Sequence, residues 1–229
     1  MAVVFTALNT LHAQSTSDSA TYKKLIAQGK ESGSTLDTVL KSPEIFSSMV
    51  LFAAGDVALH EKRLEDACFL LYAGELRLTF DHALYPSAGS GDPMQPYAEL
   101  QQESGARISP AIMRQPALFA KALERVKSFN PKVIEGYNTG WKYGKKAAAE
   151  EAQAAFVDAK KELLHDMGGV CTLLQDETYF AAFKVCQEYN LKSGTGGPSQ
   201  KAYDANFQIM KRIEKEKGIH GFALEESGQ

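Results

Sequence analysis

The residues of this chain that could do chemistry are few, and they fall near one pair of predicted helices. Asp56 stands four residues before His60, on the same helix face, and Asp81 adjoins His82. A His/Asp pair can serve as a general base or as two ligands of a metal. Against this, a histidine beside a helix terminus more often caps the helix or sits in solvent. His165–Asp166, near another predicted C-terminus, has that explanation through the helix dipole. Glu75 and Arg77 follow the apolar run FLLYAG, and Asp81 comes four residues after Arg77. An i, i+4 Arg–Asp pair is a common helix brace. Because a buried Glu or Arg is costly unless paired, these groups must face either each other or a cleft. In the cleft version Glu75, Arg77 and Asp81 form the polar floor of a groove beneath residues 85–111. Tyr72, Tyr85 and Tyr97 are then its walls, and Asp92 contributes from the loop.

The standard catalytic patterns are missing from the sequence. There is no G-x-S-x-G elbow, and Cys68, Cys171 and Cys186 lie in apolar or helical contexts that argue against an activated thiolate. The stretch AGSGDP is rich in glycine but lacks the spacing and lysine of a phosphate-binding loop. No CxxC or Cys/His cluster has zinc spacing. The reading is therefore non-catalytic, with no catalytic residue, metal site or cofactor expected.

A formal net charge of −3 and a pI of about 6.0 leave no global field for a polyanion. Lys142, Lys145 and Lys146 are the nearest basic stripe, but Glu150 and Glu151 follow at once, so no nucleic-acid partner is expected. No apolar run approaches the ~20 residues that span a bilayer. Residues 1–19 are a signal or linker segment: MAVVFTALNTLHAQSTSDSA has an apolar stretch, a small-residue site near Ala13 and a polar tail. The basic start of a secretory signal is lacking, and a short apolar segment packed on the body is the alternative. Location is periplasmic or secreted on the first version and cytoplasmic on the second. If the chain is exported, Cys171 and Cys186, on either side of the polar break LLQDETYF, could pair.

Helical spacing dominates the rest, so residues 20–229 read as one all-α domain of about seven or eight helices. Residues 14–20 are a linker, and 20–30 form a short helix ending at Gly29. Ser42, Pro43 and Glu44 then supply a cap, a first-turn proline and a dipole-matched acid for a helix running to about His60. The turn EKR leads into a helix that is apolar nearly all round, and such a helix must be buried on several sides. Residues 85–111 form the one long irregular region, with a short helix after Pro96, and Pro110 and Pro116 bracket a turn. Further helices run from Pro116 to about Asn130, through KKAAAEEAQAAFVDAKKELLHDM to Gly168–Gly169, over 177–191 and over 199–217. Trp141 pins the turn-rich segment 131–144, and the tail FALEESGQ is mobile.

FAAGDVALHEKRLEDACFLLYAGELRL resembles a tetratricopeptide-type hairpin, on Ala53, Ala54, Leu59, Leu64, Ala67 and Tyr72. The likeness spans one unit, about residues 46–80, and FLLYAGELRL is also similar to exported or secretion-associated bacterial helical proteins. These resemblances imply a helical adaptor of immunity or secretion-accessory type, whose partner is another protein. A small-ligand or metal binder, or an enzyme, using Asp56, His60, Arg77 and Asp81 around an interhelical pocket is the alternative.

Overall fold

A computed structural model of the chain describes residues 16–27, 31–88, 95–134, 136, 137, 139, 141–192 and 196–225. In order along the chain come α1 (Thr16–Ile26), α2 (Glu31–Lys41), a 3-10 turn (Pro43–Ile45), α3 (Ser48–His60), α4 (Leu64–Leu84) and α5 (Gln95–Ile112). They are followed by α6 (Pro116–Ser128), α7 (Ala149–Gln175), α8 (Glu177–Lys192), α9 (Gln200–Lys217) and the short α10 (Phe222–Glu225). The fold is all-α. Among the described residues the only β-type pairing is an isolated antiparallel bridge between Ser87 and Tyr143.

The apolar sequence of α4 makes it the centre, in contact with α3, α5, α6 and α7. Small residues bring α3 and α4 close. A Cβ on Gly74 would lie 2.6 Å from the Phe52 ring, and one on Gly55 would lie 3.4 Å from the Ala67 carbonyl oxygen. Between the two helices Lys62 takes the left-handed conformation at φ 62°. Arg63 N then donates back to Ala58 O at 2.8 Å, closing the helix end.

Several boundaries differ from the sequence reading. Residues 16–20 are not a linker but the first turns of α1, and Asp18 of that helix is buried, accepting from Ser47 N at 3.2 Å. α2 was not foreseen; its buried face is Leu36 and Val39. Ser42 and Pro43 open the 3-10 turn, whereas α3 itself is capped by Ser47, whose hydroxyl accepts from Val50 N. α5 runs for 18 residues and contains Pro110 in its last turn, so residues 95–111 are helix rather than loop. α7 continues through Gly168–Gly169 for 27 residues. The apolar residues beyond the glycines, Val170, Cys171, Leu173 and Leu174, are buried, and the missing side chain at Gly169 makes room for Ile219. The tail is likewise tied down at its start: Ala223 N donates to the buried Glu214 carboxylate at 3.0 Å.

Segment 1–15, which carries most of the export reading, lies outside the described residues. Among those described, no helix is long and apolar enough to cross a membrane. Cys68, Cys171 and Cys186 are all buried and unbridged.

Candidate functional site

Arg77 is completely buried, as is Asp81 one turn on. Arg77 Nε donates to Asp81 Oδ2 at 2.9 Å, and Nη2 lies 2.8 Å from Oδ1, an ionic contact too oblique for a hydrogen bond. Nη1 donates to two carbonyls, Lys132 O at 2.7 Å and Glu44 O at 3.2 Å. The guanidinium also stands 5.5 Å from the centre of the Tyr137 ring and 5.6 Å from that of Phe80. Burial pushes the Asp81 carboxyl above the usual range, while Arg77 and a hydrogen bond from Tyr137 pull it back. The pair therefore ties α4 to the 3-10 turn and to the segment after α6. This is an internal brace without access to solvent.

The remaining residues predicted for the cleft divide among several places. Tyr72 is buried and donates to Met167 Sδ of α7 at 3.0 Å. Tyr85 packs against Tyr143 and Tyr137 at 5.0 and 5.9 Å, and its carbonyl accepts from Trp141 Nε1 at 2.7 Å. That bond ties Trp141 to the end of α4. Tyr97 donates to Thr139 O and meets Trp141 edge-on at 5.6 Å. Asp92 lies outside the described residues. Asp56 and His60 do not cooperate: Asp56 accepts from Arg107 at 2.7 Å and from Ser104 at 3.2 Å on α5, and His60 is exposed. Among the described residues no group of three or more His, Cys, Asp and Glu side chains is placed to hold a metal.

Glu75 stands apart from the brace. It opens a stripe on α4 that solvent reaches: Glu75, Thr79 and Ala83 are half-buried and His82 is exposed. α5 and α7 each pack on α4 but hardly touch one another, and this stripe is a part of α4 that packing leaves incompletely covered. Gln101 of α5 hydrogen-bonds the Glu75 carboxyl. At the other end of the stripe the His82 and Trp141 rings are 6.4 Å apart. Desolvation raises Glu75 to about 7 despite the Gln101 contact, and no basic side chain among the described residues pairs with it.

A second concavity, a groove of about 580 Å³, lies between the 3-10 turn and α6. Leu40, Pro43, Phe69 and Phe129 supply its apolar lining. Its rim carries charges that are already paired, Lys132 with Glu44 at 3.0 Å and Arg125 with Asp66 at 2.7 Å. Arg125 also lies over the Phe69 ring at 4.3 Å. In the two chain segments that form this edge, Ile45 and Val133 are 46% and 40% exposed.

Set against known proteins, the chain matches no family model, no curated protein and no solved structure.

Gln101, Thr79 and the groove residues were missed from sequence. Gln101 had no local signal, because its role depends on the register of α5 against α4. The i, i+4, i+7 spacing of Glu75, Thr79 and His82 was the one sign that the stripe existed.

Proposed function

We propose that the protein is a non-catalytic interaction protein, a helical adaptor that holds an apolar segment of a second protein. The observation that carries this reading is the groove at Leu40, Pro43, Phe69 and Phe129, with the exposed Ile45 and Val133 next in the chain to its lining residues Glu44 and Lys132. An apolar centre inside a polar rim is the anatomy of a protein interface. Because the rim charges already neutralise one another, the occupant that fits is an amphipathic segment with apolar anchors and no strong net charge. The engagement of Arg77, Asp81 and Asp56 in internal pairs supports a non-catalytic role for them. The resemblance of residues 46–80 to a tetratricopeptide-type hairpin supports the same class, with an immunity or secretion-accessory protein as its form.

The test is affinity capture from the source organism with the wild type and with an Ile45→Asp/Val133→Asp variant, both checked for an unchanged melting temperature. A stoichiometric protein partner that the variant loses is the expected result. Retention of the partner by the variant, or capture of no protein at all, refutes the reading.

A further inference from the structure

We propose that residues 3–11 of this chain, VVFTALNTL, are the resting occupant of the groove between the 3-10 turn and α6, and that a partner binds by displacing them. The inference rests on the reading of that groove as the holder of an apolar segment, and it adds the regulation of the same site. Residues 1–15 lie outside the described residues, so their assignment comes from reach and composition. Reach is set by where α1 begins. Asp18, in the first turn of α1, is buried and accepts from Ser47 N at 3.2 Å. Ser47 follows Glu44 of the groove lining by three residues, a span of at most about 11 Å. The chain that precedes Thr16 therefore joins the fold beside the Pro43–Glu44 edge of the groove. Residues 12–15 cover up to about 14 Å and residues 5–15 up to about 36 Å, enough to bring Leu11, Leu8 and Phe5 to the lining.

Composition matches what the groove asks for. Residues 1–15 contain no Asp, Glu, Lys or Arg, and their apolar side chains gather in residues 3–11. The rim charges of the groove are already paired, Lys132 with Glu44, Arg125 with Asp66, and Glu124 with Lys127. A charged occupant would have to break into those pairs, whereas an uncharged one leaves them intact. Burying apolar side chains against Leu40, Phe69 and Phe129 removes them from water, which favours the contact. The tether strengthens it: a segment on a short linker meets its site at an effective concentration of about a millimolar. Contacts too weak to hold a free peptide are then sufficient. A partner's segment has to compete with the tethered one, so its apparent affinity falls with the fraction of chains whose groove is open.

Disulfide trapping in the full chain is the test. Phe5→Cys is combined with Ser128→Cys, an exposed position of the groove lining, or with Lys24→Cys, exposed on α1. Lys24 lies about 12 Å along α1 from Thr16, so a segment that is tethered but not docked reaches it at least as readily. The native cysteines are buried, which keeps them out of the reaction. After brief oxidation with copper phenanthroline, peptide mass spectrometry quantifies each link, and gel mobility separates links within one chain from links between two. The expected result is a link from position 5 to position 128 within one chain, formed about tenfold faster than the link to position 24. Adding Leu8→Asp/Leu11→Asp should abolish that preference, and circular dichroism confirms that each variant is folded. Equal rates, a preference for position 24, no link to position 128, or a link to it only between two chains overturns the inference. Partner capture with the Ile45→Asp/Val133→Asp variant has a separate readout. A partner lost by that variant without the position-128 preference keeps the proposed function and ends this inference; the preference without any partner does the reverse.

Discussion

Replacing Arg77 by methionine tests the brace directly. The substitution keeps much of the side-chain volume and removes every polar contact that the guanidinium makes. It leaves Asp81 buried without its cation, and it strips Glu44 O and Lys132 O of a donor. Removing one partner of a buried ion pair costs about 3–5 kcal/mol. The two carbonyls add roughly 1 kcal/mol each where water cannot replace the donor. The expected loss, about 5–7 kcal/mol, is a large part of the ~5–15 kcal/mol that stabilises a typical domain. Urea titration followed by circular dichroism measures it. The double variant Arg77→Met/Asp81→Leu should recover about 3 kcal/mol, because the stranded carboxylate is gone. The pH dependence has a definite sign. Without Arg77 the folded-state Asp81 carboxyl lies still further above its ordinary value of 3.8. A raised folded value favours the folded state below 3.8 and loses that advantage as pH climbs through the folded value. The deficit of Arg77→Met should therefore shrink toward pH 3.8 and widen above it. A single variant within about 1 kcal/mol of wild type, or a double variant no better than the single one, would refute the reasoning.

Two further expectations concern α4 and its neighbours. Glu75 titrates at about 7 in the fold against an ordinary 4.5, so its stabilising contribution is full below 4.5 and disappears as pH rises through 7. That gap is worth at most about 3 kcal/mol; Glu75→Gln should flatten the pH profile and raise the melting temperature at pH 8, and an unchanged profile would rule it out. Gly74→Ala should destabilise by about 1–3 kcal/mol, because the new methyl meets the Phe52 ring. Gly105→Ala, with nothing within 4 Å of the added carbon, should instead gain about 0.5–1 kcal/mol from helix propensity. Thermal melts of the two variants, moving in opposite directions, are the check.

What was legible in the sequence was local in origin. The burial of Leu64–Leu84 on several sides follows from its composition, and the Arg77–Asp81 pairing follows from i, i+4 spacing. The polar helices were harder. α1 exists partly because Asp18 is buried against Ser47, 29 residues away, and no local pattern announces that contact. Pro110 and Gly168–Gly169 read as stops, but tertiary contacts carry both helices past them. Gln187 of α8 donates to Pro110 O at 3.2 Å, and Ile219 fills the space at Gly169. The cleft prediction joined Glu75 and Arg77 because they are neighbours in sequence. Two residues along a helix turn the side chain by about 200°, which puts one on a half-buried stripe and the other in the core.

The length of α7 bears on how the chain comes apart. Its 27 residues extend about 40 Å. Phe156 packs with Phe80 and Phe129 near one end, whereas Val170–Leu174 at the other end borders α8 and the segment after α9. α8–α10 meet the rest of the fold chiefly through this helix, with the Gln187–Pro110 bond as a direct link to α5. The expected consequence is that α8–α10 open before the α3–α4 centre does, so that in hydrogen exchange their amides lose protection before those of α4.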